Sequence, residues 1–206
     1  VEESFKREQD FLRAQIKPHF LYNTLDTIAY LCNDDPEQAS DLIMDLAQYL
    51  RYSFDFESLS QTVPIDQELE LVEFYLTIQQ ARFKDRINIE YELDKNLEFD
   101  LPPLAVQTLI ENATKHGILK QESGGTIKLV IREEDEYYKI KIIDNGVGMR
   151  VEEIDKLFVG ENKERRSVGL KNINKRLRKL YNQELVINSK LNEGTTVKFV
   201  IPKDRA

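Results

Sequence analysis

His19 is the side chain of this sequence best suited to nucleophilic chemistry, within the run PHFLYN at residues 18–23. A neutral imidazole nitrogen is a competent nucleophile near pH 7. Asn23 follows four residues later and shares a helical face with it. We expect the opposite, buried face to be formed by Leu21, Leu25 and Ile28. Taken alone, a helical histidine is more often a surface or core residue than a catalyst, so this pattern needs support from elsewhere.

A second group of polar residues lies within residues 109–117, where they fall on about one turn of a predicted helix. Its members are Glu111, Asn112, Lys115 and His116. The amide oxygen of Asn112 suits Mg²⁺, the ion that accompanies nucleotide phosphates, and Lys115 offers a point charge to those phosphates. The solvated face of an amphipathic helix would explain the same residues if they stood alone.

A glycine-containing loop follows an apolar strand at residues 140–143. Asp144 ends that strand, where its carboxylate can accept a hydrogen bond from an exocyclic amine such as that of adenine. Gly146 and Gly148 allow the backbone to approach a ligand closely, and Met149 suits a flat apolar ring. One Gly-x-Gly is usually only a turn, so this loop predicts a base-binding site only together with other motifs.

Two further segments add phosphate-binding chemistry. Gly169 and Leu170 are predicted to open a basic helix, and helix N-termini bind phosphate. Thr195 and Thr196 enter the last predicted strand, where their hydroxyls could reach the same pocket. A plain hairpin turn explains the threonines almost as well.

The elements that position these residues follow from hydrophobic periodicity. We predict helices at 1–32, 36–56, 66–83, 104–116 and 169–181, a strand beginning near 87, and hairpins formed by 126–132 with 137–143 and by 185–189 with 195–201. The pattern changes from helical to alternating after residue 84. It predicts an α+β chain with a helical domain at 1–84 and an α/β sandwich at 85–206.

Composition excludes some function classes. The net charge of −8 with 32% charged residues argues against nucleic-acid binding. The one cysteine, Cys32, cannot form an internal disulfide, and we expect it to be a small core residue. No apolar run reaches the roughly 18 residues of a membrane span, and there is no signal peptide. The chain starts at Val1 within a predicted helix, so we expect a piece of a longer protein, with any membrane anchor upstream.

The run at 18–23 closely resembles the phospho-acceptor motif of the LytS-type sub-family of sensor histidine kinases. Residues 49–53 (YLRYS) and 70–83 resemble further motifs of the same group. The resemblance implies that His19 accepts phosphate. It also implies that the first two helices pair with a second copy in a four-helix bundle, which makes the protein a homodimer.

The order of the later motifs resembles the N, glycine and final Gly-Thr boxes of the ATP-binding fold shared by histidine kinases, type II topoisomerases and a class of heat-shock chaperones. By that resemblance Asn112 holds Mg²⁺, Asp144 holds adenine, Gly146 and Gly148 line the base, and Gly169 lies in a phosphate lid. The loop at 160–166 would be the mobile part of that lid.

Two positions depart from the family pattern. Phe20 stands where many histidine kinases carry an acidic residue after the acceptor, so we take Glu111 as the candidate general base. Thr108 replaces a frequent asparagine four residues before Asn112. Asn23 is a candidate for orienting water in a phosphatase reaction.

The sequence therefore predicts autophosphorylation of His19 by Mg·ATP, then transfer to an aspartate of a response-regulator receiver domain. Catalysis would require the second domain to swing about hinges near 57–64 and 83–86. The expected location is the cytoplasmic part of a membrane-anchored bacterial sensor. Three alternatives remain: an ATP-sensing scaffold without transfer, a clamp-type ATPase, which leaves the His19 motif unexplained, and a serine kinase, which would not need paired helices.

Overall fold

The structure is a computed structural model that describes residues 18–58, 61–158 and 165–203. Its helices are α1 (Pro18–Asp34), α2 (Pro36–Ser58), α3 (Ile65–Phe83), α4 (Ala105–Asn112), α5 (Val151–Phe158) and α6 (Arg165–Tyr181). Its strands are β1 (Val63–Pro64), β2 (Ile87–Leu93), β3 (Asp100–Leu101), β4 (Gly125–Glu133), β5 (Tyr137–Asp144), β6 (Val186–Lys190) and β7 (Gly194–Pro202). The helix predicted before residue 18 lies outside the described residues.

Helices α1 and α2 form a hairpin whose turn is one residue, Asp35. The Asp35 carboxylate accepts the backbone N–H of Gln38 at 3.0 Å, and Pro36 occupies the first helical position. Both features favour a helix start. The short connection makes the helices antiparallel neighbours, as the sequence predicts.

The buried face of α1 differs from the prediction. It consists of Phe20, Thr24, Ile28 and Leu31, whereas Leu25 is 46% exposed. The helix is rotated relative to the predicted face because the aromatic ring of Phe20 packs into the core. Cys32 is exposed rather than buried, so that prediction was wrong too.

Several large apolar side chains of the hairpin face outward. They are Tyr22, Leu25 and Tyr30 of α1 and Ile43 and Met44 of α2. Exposed apolar residues concentrated on one element often mark an interaction surface.

The second half is built on a five-stranded mixed sheet in the order β2-β4-β5-β7-β6. Strands β2 and β4 are parallel, while the other neighbours are antiparallel. Both predicted hairpins are present, β4 with β5 and β6 with β7. One face carries charged residues such as Lys128 and Arg132, which pair with Glu92. The other face is apolar, and its buried residues join those of α4 and α6 in one core.

The helices over the sheet differ in detail from the prediction. Helix α4 ends at Asn112 and continues as one π-helical turn at Ala113–Gly117, so the predicted helix to His116 was wrong at its end. Helix α6 begins at Arg165 rather than at Gly169. Sequence patterning missed α5 altogether. A π-helical turn such as the one at Ala113–Gly117 is frequent at functional sites.

Helix α3 contacts both halves of the molecule. It packs against α2 on one side and α4 on the other. Just before it, β1 pairs with β3, and the Ile65 N–H donates to the carbonyl of Phe99 at 3.0 Å. The division of the chain after residue 84 stays a prediction. Among the helices of the described ranges, none combines the length and apolar character that crossing a membrane requires.

Candidate active site

His19 lies exposed on the first turn of α1. The Asn23 amide nitrogen is 2.9 Å from Nδ1 and 3.2 Å from Nε2 of the imidazole. The amide can donate a hydrogen bond to whichever ring nitrogen lacks a proton. The pair therefore presents the imidazole to solvent with its ring orientation held by a neighbour one turn away.

The next residue, Phe20, connects this helix to the rest of the core. Its ring is 5.0 Å from that of Tyr49 and 5.7 Å from that of Tyr75, so the three rings form an aromatic cluster. The Gln107 side-chain amide donates to the Tyr49 hydroxyl at 3.2 Å. Burial, and then the neighbouring Glu111 carboxylate, raise the pKa of both Tyr49 and Tyr75. The segment after His19 thus packs on side chains that border Glu111.

The end of α4 carries two polar side chains with different environments. Glu111 is only 4% exposed, and its carboxylate lies 2.5 Å from the ammonium of Lys115. The side-chain nitrogen of Asn112 is buried and has no hydrogen-bond partner among the described residues. A buried amide without a partner costs free energy, so Asn112 is suited to meet a polar ligand.

Asp144 lies buried at the end of β5, 6% exposed. Its Oδ1 accepts the backbone N–H of Gly146 at 2.9 Å. A Cβ atom at Gly117 would lie 2.6 Å from the same oxygen, and a Cβ at Gly146 would lie 2.2 Å from the backbone of Gly117. Glycines at these two positions allow the π-helical turn and the loop after β5 to approach closely around the carboxylate.

A narrow crevice with a cavity volume of about 20 Å³ lies between α4, the sheet and α6. Five predicted binding residues line it: Asn112, Asp144, Met149, Leu170 and Thr195. It is otherwise mostly apolar, with Leu109, Ala113, Gly117, Ile142, Ile187 and Val197. An apolar slot with a few convergent polar groups is the usual form of a small-molecule site. Its side chains match a flat heteroaromatic base in kind, and the slot must widen to admit one.

The other predicted binding residues lie outside this lining. Lys115 and His116 belong to the π-helical turn, and Gly146 and Gly148 to the loop after β5. Gly169 is inside α6, where a Cβ atom would approach Thr108, so the prediction that it opens the helix was wrong. Thr196 pairs with Ile143 in the sheet. The predicted lid at 160–166 falls largely outside the described residues, and Arg165 and Arg166 are helical.

Two features of the site escaped the sequence analysis. Gly117 was not singled out, although it touches Asp144. Glu68 of α3 was also missed: it is fully buried and accepts backbone N–H groups at the start of α4. Burial raises the pKa of Glu68 to about 7, against the opposing effect of those N–H donors. A glutamate in an otherwise apolar helical face was the one available signal for Glu68.

The described residues contain no group of three His, Cys, Asp or Glu side chains that could hold a metal ion. The predicted Mg²⁺ ligand is the pocket-lining Asn112, whose amide oxygen is the atom that could hold an ion arriving with nucleotide phosphates. Its amide nitrogen, unpartnered in the part of the chain that the structure describes, is a donor and suits an acceptor atom of a ligand instead.

Known families match both parts of the chain. Residues 7–87 match the model described as "Histidine kinase", and residues 101–205, about half of the chain, match "Histidine kinase-, DNA gyrase B-, and HSP90-like ATPase". The chain belongs to the histidine kinase family. The predicted resemblance to that family, the α+β class and the kinase core with an ATP-binding domain are confirmed.

Relatives of this histidine kinase core include sensor proteins. The uncharacterized protein YwpD of Bacillus subtilis is 42% identical over 198 residues, covering 95% of this chain and 70% of that protein. Sensor protein LytS of Bacillus cereus is 36% identical over 93% of the chain, and sensor histidine kinase YpdA of Escherichia coli is 33% identical over 97%. The kinase core spans only 33% of that LytS and 35% of YpdA.

Solved structures of other kinases share the fold. The histidine kinase domain of a blue-light-activated kinase from Erythrobacter litoralis aligns with a TM-score of 0.51 at 16% identity, over 97% of this chain and 95% of the other. The nucleotide-free catalytic domain of histidine kinase ThkA aligns with a TM-score of 0.55 at 15% identity, over 69% of this chain and 94% of the other.

Proposed function

We propose that this kinase core transfers the γ-phosphate of ATP to His19 and then to an aspartate of a response-regulator receiver domain. One observation carries the proposal: the exposed imidazole of His19 is joined, through Phe20 and the tyrosine cluster, to α4, the helix that carries Glu111 and the pocket-lining Asn112. Acceptor and nucleotide site are therefore linked by direct side-chain packing in this arrangement of the chain. Replacement of His19 by glutamine, which removes the nucleophile, tests this proposal.

The proposed reaction is an in-line displacement. An imidazole nitrogen attacks the γ-phosphorus, the bond from that phosphorus to the bridging oxygen breaks, and ADP leaves. The proton of the attacking ring passes to Glu111 or to water. Such transfers depend mainly on positioning and electrostatic stabilisation.

The nucleotide is proposed to bind with its adenine amine on Asp144 and its ring against Met149, Leu170 and Thr195. Gly146 and Gly148 lie beside the base. Asn112 holds Mg²⁺, which when bound neutralises charge on the phosphates. Lys115 and His116 are assigned to the phosphate side, and Gly169 lies where α6 meets α4. Thr196 follows the pocket-lining Thr195 on β7 and therefore lies on the other face of the sheet, so of the two threonines only Thr195 is assigned to the nucleotide.

Glu111 is proposed as the general base. Glu111→Gln is therefore expected to lower the autophosphorylation rate roughly a hundredfold, because a positioned base contributes about that much. The affinity for ATP is expected to stay unchanged. The measurement compares label incorporation at saturating ATP with equilibrium ATP binding. The exposed Glu122→Gln is the matched control. Equal losses of rate and of affinity in Glu111→Gln would refute the role.

Asn23 is proposed to orient the water that hydrolyses the phosphorylated receiver domain. Asn23→Ala is expected to slow that dephosphorylation roughly tenfold, since the attacking water loses a positioning group. The rate is measured with a phosphorylated receiver domain as substrate. Asn33→Ala, at the far end of the same helix, is the control, and normal dephosphorylation by Asn23→Ala would remove the proposal.

The partners follow from the same proposal. The outward apolar residues of the hairpin, including Leu25 and Ile43, suit pairing with a second copy in a four-helix bundle. Sedimentation of the chain tests this, since a monomer at all concentrations would contradict it.

We further propose that the core is the cytoplasmic part of a membrane-anchored bacterial sensor and does not bind nucleic acid. Fractionation of cells that express the full-length protein tests the location.

A further inference from the structure

Glu68 occupies an unusual place for an ionisable side chain. It lies in the first turn of α3 with none of its surface exposed. Its carboxylate accepts the backbone N–H of Leu104, that of Val106 at 3.0 Å and that of Gln107 at 3.3 Å. These donors belong to the start of α4, a separate helix 36 to 39 residues further along the chain.

Helix α4 has no cap of its own at this end. The first N–H groups of a helix lack intrahelical partners, and the helix dipole favours a negative charge there. The cap position is Leu104, which has no polar side-chain atom and adopts a left-handed backbone with φ 61°. Residues Pro102 and Pro103 precede it. Glu68 therefore supplies from α3 the acceptor that a local Ser, Thr or Asp usually provides.

The opposite end of the same helix carries the site. Helix α4 has eight residues, about 12 Å at 1.5 Å per residue, so it behaves as one short rigid piece. Its last two residues are Glu111 and Asn112. A shift or tilt at the capped end changes the position of both side chains relative to the pocket.

We propose that Glu68 is a positioning residue for phosphoryl transfer, fastening α4 to α3 so that Glu111 and Asn112 are held in place at the nucleotide. The inference rests on the proposed function. Helix α3 then belongs to the rigid body that carries the ATP pocket, because β1, which directly precedes α3, is paired with β3. Any swing of that body against the α1–α2 hairpin then takes α3 with it, and residues 83–86 do not act as the hinge.

The test is a double-mutant cycle on the whole chain. Glu68→Gln keeps the shape but removes the charge, and it is expected to lower the autophosphorylation rate at saturating ATP between about tenfold and a hundredfold. In a Glu111→Gln background the same change is expected to cause a smaller fold-loss in rate than in the unaltered chain, because one of the two side chains it positions is already gone. Glu73→Gln, exposed on the same helix, is expected to change neither.

The outcomes separate this inference from its alternatives. Additive losses in the cycle, or a Glu68→Gln enzyme as fast as Glu73→Gln, would overturn it. If Glu68→Gln does not fold, hydrogen exchange of the unaltered chain decides: protected Val106 and Gln107 amides support the cap, and freely exchanging ones overturn it.

If the unaltered chain makes no phosphohistidine, the proposed function fails. ATP affinity then decides: weaker binding in Glu68→Gln than in Glu73→Gln supports the positioning role, and equal binding overturns it.

Discussion

His19→Gln is expected to abolish phosphate incorporation from ATP completely while leaving ATP affinity within about twofold of normal. A glutamine amide nitrogen is not a nucleophile, whereas a neutral imidazole nitrogen is. His19 is exposed on α1 and does not line the pocket, so its replacement removes the acceptor without touching the nucleotide site.

The measurement pairs label incorporation with equilibrium binding of ATP on the same preparation. Asn33→Gln places the same new side chain at another exposed position of α1 and is expected to be phosphorylated normally. A His19→Gln chain that still takes up acid-labile label would show that the acceptor lies elsewhere.

Asp144→Asn is expected to weaken ATP affinity by roughly a hundredfold. The carboxylate is buried, and one oxygen already accepts the Gly146 N–H. An amide in its place presents a donor where an adenine amine also donates, and hydrogen bonds to a charged group are worth about 1.5–3 kcal/mol. The loss should appear in binding first and in phosphorylation as a consequence.

Asp135→Asn is the matched control, because Asp135 is exposed in the turn between β4 and β5 and touches no part of the pocket. Circular dichroism of Asp144→Asn checks that the fold is retained, which matters because the Gly146 N–H donates to the same carboxylate. An ATP affinity unchanged in Asp144→Asn would contradict the assignment of the base-binding site.

Local pattern was sufficient for much of the fold. The alternating residues of β4 and β5 and the acidic turn between them predict their hairpin directly. The cap at Asp35 and the helix-compatible Pro36 predict the α1–α2 turn. Asp144 was found because it ends an apolar strand and precedes glycines, a purely local signal.

What the sequence could not show depends on contacts between distant segments. The buried face of α1 is rotated by the packing of Phe20 on Tyr49 and Tyr75, which lie 29 and 55 residues later. Glu68 caps a helix 36 residues away, and its place on the mostly apolar face of α3 does not tell which segment it contacts. The π-helical turn that brings Gly117 against Asp144 overrides the helical periodicity, which would have continued to His116.

The most direct test of the central claim is the chemical identity of the phosphorylated residue. The chain is incubated with Mg²⁺ and γ-labelled ATP, the label is challenged with alkali and with acid, and the labelled peptide is identified. The account predicts a label that survives alkali, is lost in acid and lies on the peptide containing His19. An acid-stable label on a hydroxyl side chain, or ATP that binds and is hydrolysed without any labelled protein, would contradict it.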